Sequence, residues 1–196
     1  MPCEVWLFRH GETEWSASGA HTGRTDIPLT NAGRARAARL RDCLAGHAFA
    51  LVLTSPMQRA RETCILAGLG DQAQIDPDLR EWDYGDYEGR TTAEIRKERP
   101  DWNLWNDGVP NGETVEQVAE RARRVIDRVN CLAPDQDAAI FSHGHFLRIL
   151  ASCWIGLDPH AGRLFALSTG SISILGFERD TRVIAKWNEI AGLKSG

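Results

Sequence analysis

The chain alternates short, continuously apolar runs with longer stretches in which apolar residues recur at helical spacing. Val5-Trp6-Leu7-Phe8, Ala50-Leu51-Val52-Leu53 and Ala138-Ala139-Ile140-Phe141 each stop abruptly at a polar turn: Arg9-His10-Gly11, Thr54-Ser55-Pro56 and Ser142-His143-Gly144-His145. Runs of this kind, with no polar alternation, read as strands buried on both faces. Helices are predicted over residues 30–44, 56–69, 113–132 and 146–155. In the third, Val115, Val118, Ala119, Ala122, Val125, Ile126 and Val129 share one face, and the charged residues between them read as a solvated face. Residues 171–177 and 182–187 flank Glu178-Arg179-Asp180-Thr181 as an antiparallel hairpin.

Strands alternating with helices predict an α/β fold, a three-layer α/β/α sandwich with a mainly parallel central sheet and an antiparallel C-terminal strand or hairpin. Ligands of such sheets bind at the carboxyl ends of the strands, and all three polar turns fall on that edge. A single domain is expected over residues 1–196, with a loop and helix excursion at about 81–112 that is rich in Gly, Trp, Tyr and acids. Its only helical pattern spans residues 91–99, and an excursion of that length is commonly a functional loop or lid. Trp102 and Trp105 either line it or anchor it.

Composition narrows the possibilities. A chain of 196 residues with 42% hydrophobic and 26% charged side chains can bury a substantial core. Its formal charge of −4 lacks the basic surface that nucleic acid or anionic lipid rewards, so neither is an expected partner. No apolar run approaches the roughly 20 residues that cross a bilayer, and residues 1–4 lack signal-peptide features, so a cytoplasmic location is expected. Cys3, Cys43, Cys64, Cys131 and Cys153 are scattered and never paired as CxxC, which reads as reduced, buried thiols.

Candidate chemistry gathers at the polar turns. A lone histidine such as His10 is more often structural than catalytic, but His143-Gly144 belongs to the same sheet edge, and that coincidence points to a site. Ser55-Pro56 opens a helix with Arg59 in its first turn, beside free backbone N–H groups suited to an anion. Arginine's planar fork matches phosphate oxygens bidentately. No carboxylate cluster has metal-ligand spacing, so neither a metal nor a cofactor is expected. His21, His47 and His160 carry no partner pattern, and Arg34, Arg36, Arg39 and Arg41 read as a solvated helix face.

Leu7-Phe8-Arg9-His10-Gly11-Glu12-Thr13-Glu14-Trp15, followed by Thr22-Gly23-Arg24-Thr25-Asp26-Ile27-Pro28-Leu29-Thr30, resembles the opening of the histidine phosphatase, or phosphoglycerate mutase-like, superfamily. Ser55-Pro56-Met57-Gln58-Arg59-Ala60, residues 79–89 and Ser142-His143-Gly144 match its later landmarks in the same order. The resemblance implies phosphoryl transfer through a phosphohistidine, with His10 as nucleophile and Arg9, Arg59 and a protonated His143 holding the phosphoryl oxygens. It also implies that Glu81 is the general acid and base, with Trp82 and Tyr84 supplying apolar surroundings and Asp83, Asp86 and Glu88 as rival acids. Lesser contacts are expected from Ser16, Thr22, Gly23 and the His145 N–H. Ser16 and Thr22-Gly23 could equally be a helix cap and a turn. The family usually continues Trp-Asn where this chain has Trp15-Ser16.

Family mutases are typically longer, so the compact chain favours a metal-independent phosphatase acting on a small phosphomonoester. Residues 15–26 are most similar to the branch holding sedoheptulose bisphosphatase-like enzymes, which points to a sugar phosphate. A phosphoglycerate mutase using the same pocket and a non-catalytic phosphate-binding regulatory domain are the alternatives.

Overall fold

The computed structural model describes residues 3–191. The predicted strands form as β1 (Val5–Arg9), β2 (Leu51–Thr54) and β4 (Ala138–Ser142), and the hairpin as β5 (Ser171–Glu178) and β6 (Thr181–Ile190). A further strand, β3 (Ala73–Ile75), lies at one edge, giving the order β3-β2-β4-β1-β5-β6. The pairs from β3 through β1 are parallel, and β5 runs antiparallel to both neighbours.

Side chains on successive strand residues point to opposite faces, so each apolar run feeds two cores. On one face Val5, Leu7, Leu53, Ala138 and Ile140 pack beneath α6 (Val115–Asn130) and α7 (Gly144–Trp154). On the other, Phe8, Val52, Ala139 and Phe141 meet α2 (Asn31–Cys43) and α3 (Gln58–Leu66). This is the expected three-layer sandwich. Of the cysteines only Cys64 is buried, while Cys43 and Cys131 are exposed, so the reading of all five as core thiols does not hold.

The excursion is a packed block. It contains α4 (Thr92–Glu98) and α5 (Leu104–Asp107), and Trp82, Tyr84, Tyr87, Trp102 and Trp105 are all buried. Trp102 and Trp105 anchor it, their rings meeting Tyr87 and Trp82 edge-on at centroid distances of 5.2 and 5.6 Å. α1 (Glu14–Ser18) is a single turn closed by a capping box between Thr13 and Ser16. Among the described residues no helix is long and apolar enough to cross a membrane.

Parallel pairing sets the functional edge. Arg9 lies beside Ser142 and Thr54 beside Phe141, so β1, β2 and β4 end together. The next residues stay in register, because His10 N donates to Ser142 O at 3.0 Å and Ser55 N to Phe141 O at 3.0 Å. Gly11 lies against α2 so closely that a Cβ would stand 2.6 Å from Gly33 O, and only glycine admits that approach.

Candidate active site

His10 is the centre of this edge. It is buried, and its Nδ1 lies 2.7 Å from Gly11 O. A carbonyl only accepts, so Nδ1 carries the proton and Nε2 keeps its lone pair. Burial, then the charges of Arg59 and Arg9, push the His10 pKa well below the usual histidine value, against the pull of the Gly11 bond. The Gly11 peptide is itself fixed from α3, its N–H donating to Thr63 Oγ1 at 3.0 Å.

His143 lies across from it, ring centroids 5.2 Å apart. Arg59 Nε donates to His143 Nδ1 at 3.2 Å, so that nitrogen is bare and Nε2–H donates to Ser55 Oγ at 2.8 Å. Burial and the charge of Arg59 hold its pKa well below the usual value. His143 is therefore neutral, not the protonated donor expected, because a guanidinium cannot accept and burial disfavours a second charge. Arg59 is wholly buried and also donates to Thr25 O at 2.9 Å and to Thr22 O and Gly23 O, each at 3.1 Å. The helix-start N–H beside it, on Gln58, donates to Asp26 Oδ1 at 2.8 Å, so the anion there is the protein's own. Arg9 bonds Leu167 O, while its Nε is buried and without a partner among the described residues.

Glu81 sits at the start of α7. Its Oε1 accepts from Trp82 N at 3.0 Å and Phe146 N at 2.9 Å, and its Oε2 from His145 N at 3.1 Å. His143, the N-cap of α7, gives that helix no side-chain cap, and the Glu81 carboxylate satisfies its free donors instead. Trp82 and Tyr84 are buried, and Tyr84 lines the same cleft as Glu81, so the ring of amides is added to the expected surroundings. The rival acids are occupied elsewhere: Glu88 accepts from Gly23 N and Thr25 N, Asp83 pairs with Arg24, and Asp86 accepts from Asn111.

Arg9, His10, Glu81 and His145 share a cleft of about 270 Å³ with Ser16 and Thr22. The donors expected of the lesser contacts are committed within the protein. Ser16 Oγ donates to Thr13 O at 2.9 Å, Thr22 Oγ1 to Ala20 O at 3.0 Å, Gly23 N to Glu88 at 3.0 Å, and His145 N to Glu81. Ser16 thus completes the capping box of Thr13, and Thr22-Gly23 is a stapled turn.

The cleft also contains Tyr84, expected beside Glu81, together with His21, Thr92 and Arg148, which sequence reasoning missed. His21 arrives by pairing with a distant segment, its N–H donating to Arg90 O at 2.9 Å. Tyr84 Oη lies 2.7 Å from His145 Nδ1, and burial raises the phenol's pKa well above its usual value, keeping it protonated. Arg148 follows Gly144 by one turn of α7, the one signal that could have found it. It donates to Gly162 O at 2.9 Å and stacks 4.9 Å from the Trp105 ring.

The buried imidazoles set a pH dependence. His10, His143 and His145 all have folded pKa values well below the ordinary 6.5, chiefly through burial. Above that value both states hold them neutral. As pH falls below it, the unfolded chain takes protons that the folded chain refuses. Stability is then lost at up to roughly 1 kcal/mol per pH unit for each imidazole. Thermal melts from about pH 7.5 to about pH 5 should show Tm falling below about 6.5, and a flat Tm contradicts this assignment.

A model described as the histidine phosphatase superfamily (branch 1) matches residues 5–190. An acid phosphatase of Mycobacterium tuberculosis is 41% identical over 186 residues, covering 91% of this chain and 89% of that protein. A sedoheptulose 1,7-bisphosphatase of Saccharomyces cerevisiae is 41% identical over 182 residues, covering 77% of this chain and 67% of that protein. The solved structure of an open reading frame from Mycobacterium tuberculosis is similar, with a TM-score of 0.91 and 39% identity, covering 97% of this chain and all of that one.

Proposed function

This chain belongs to the histidine phosphatase superfamily (branch 1), and from that membership we propose that it hydrolyses a small sugar phosphate through a phosphohistidine at His10. The observation that carries this reading is the His10 imidazole itself: Nδ1–H is spent on Gly11 O, and the ring is kept neutral between two guanidinium groups. A neutral Nε2 is a competent nucleophile toward phosphorus, and fixed cations offset the charge on the transferring group.

In the first step Nε2 forms a bond to phosphorus as the ester P–O bond breaks. The electron pair goes to the leaving oxygen, which takes a proton from the Glu81 carboxyl. In the second, water attacks phosphorus, Glu81 accepts its proton, and the N–P bond breaks to release phosphate and restore neutral His10. Arg9 faces the phosphoryl oxygens with its unspent donors. Arg59, bonded to Thr25, Thr22 and Gly23, adds charge from beneath and holds their loop in place.

A sugar ester is supported by the 41% identical relative named sedoheptulose 1,7-bisphosphatase. The cleft of about 270 Å³ suits a small ester, and its hydroxyl, imidazole and guanidinium groups suit a polar one. Among the described residues no three His, Cys, Asp or Glu side chains cluster as a metal site, and the two arginines meet the phosphoryl charge. Hydrolysis is therefore expected to persist in EDTA.

The test is a product analysis over sugar phosphates, bisphosphates and phosphoglycerates with EDTA present. Inorganic phosphate, released fastest from one sugar ester, is the expected result. Isomerised ester without free phosphate, or loss of activity in EDTA, overturns the reading.

A further inference from the structure

Arg121 lies on the helix face that reads as solvated, yet the residue is buried. All five of its N–H groups are used. Nε and Nη2 grip the two carboxylate oxygens of Glu113, each at 2.8 Å. The remaining donors reach main-chain carbonyls just before and at the acid-base residue: Asp78 O at 2.6 Å, Arg80 O at 2.9 Å and Glu81 O at 3.3 Å. The guanidinium also lies 5.2 Å from the ring of Phe146, whose N–H donates to Glu81 Oε1.

Glu113 completes the clamp from the far end of the excursion. Its Oε2 accepts from Asp83 N at 2.9 Å, its own N–H donates to Asp83 O at 3.0 Å, and its carbonyl accepts Trp82 Nε1 at 2.8 Å. Both residues line a second cavity, of about 430 Å³, on which Glu81 also borders. Glu81 borders both this cavity and the cleft with His10, so packing alone cannot fix its position. Hydrogen bonds must do so.

We infer that the Arg121–Glu113 pair is the positioning device for Glu81, holding its backbone so that the carboxyl meets the leaving oxygen. Arg121 lies outside the lining of the cleft with His10 and acts through Glu81. The inference rests on the acid-base role proposed above. A displacement of about 1 Å at a catalytic group can cost about 100-fold, so loss of the clamp should be felt in the step that Glu81 serves.

That step can be isolated by leaving group. An alkyl phosphate needs a proton on its departing oxygen, whereas 4-nitrophenyl phosphate leaves as a stable anion, and kcat/KM reports the first chemical step. Arg121→Met should lower kcat/KM about 30- to 100-fold on the sugar ester and less than about 3-fold on 4-nitrophenyl phosphate. Arg121→Lys keeps a charge but cannot span Glu113 and the carbonyls, and should show the same imbalance at about 10-fold. It decides the matter should Arg121→Met fail to fold.

Glu81→Gln is measured alongside and should show the imbalance itself. Equal losses on both esters in the Arg121 variants, with imbalance in Glu81→Gln, overturn the positioning role alone. No imbalance in Glu81→Gln overturns the acid-base role and this inference with it.

Discussion

His10→Ala is expected to lower kcat by about 10⁴-fold or more, because the covalent route disappears and water must attack the ester directly. The fold should survive. The substitution removes one hydrogen bond, Nδ1–H to Gly11 O, and leaves a small void, a cost of about 1–2 kcal/mol. Arg9 and Arg59 remain, so inorganic phosphate should still bind. Steady-state kinetics with a phosphate-binding titration checks both halves. A variant within about 10-fold of the parent rate contradicts the nucleophile assignment.

Arg59→Met should damage stability and catalysis together. The methionine keeps the aliphatic stem but strands Thr22 O, Gly23 O and Thr25 O, and frees His143 Nδ1 to take a proton. Losing charge-assisted bonds to three carbonyls should cost about 3 kcal/mol, and at 2–4 °C per kcal/mol for a chain of this size Tm should fall by about 6–12 °C. Removing a fixed cation from beneath the phosphoryl group should lower kcat/KM by about 10²–10³-fold. Calorimetry and kinetics on one preparation decide the matter. An unchanged Tm would show that the loop over residues 22–25 is held by other contacts.

The parts of the fold that were legible are those whose residues are buried on both sides. Val5-Trp6-Leu7-Phe8 and Ala138-Ala139-Ile140-Phe141 announce strands because each must satisfy two cores. Their ends announce Arg9, His10 and His143 because polar side chains return where the apolar run stops. β3 was missed because Ala73-Gln74-Ile75 is a short edge strand with Gln74 and Ile75 exposed, and nothing in its pattern separates it from a loop. α1 and α5 are single turns defined by capping, too short for a period to appear.

Residues of the site were legible where a motif carried them and lost where tertiary pairing did. His21 reaches the cleft only because its backbone bonds to Arg90 O and Gly89 N, contacts invisible along the chain. Ser16, Thr22 and Gly23 were recognised as polar groups near the site, but which partner takes each donor depends on packing. Arg121 did leave a trace. It stands three residues after Val118 and beside Ala122, at the border of the apolar stripe of α6, where a charge is buried only if something meets it.

The phosphohistidine mechanism turns on a covalent bond between phosphorus and His10 Nε2. Rapid mixing with the preferred ester, an alkaline quench and mass-spectrometric mapping of the peptides will reveal it, since phosphohistidine is stable to base and labile to acid. One phosphoryl group on the peptide carrying His10, absent from His10→Ala and, with 4-nitrophenyl phosphate as the donor, accumulating in Glu81→Gln, is the expected result. An enzyme that turns over with no phosphoryl group on that peptide at any time point contradicts the phosphohistidine mechanism.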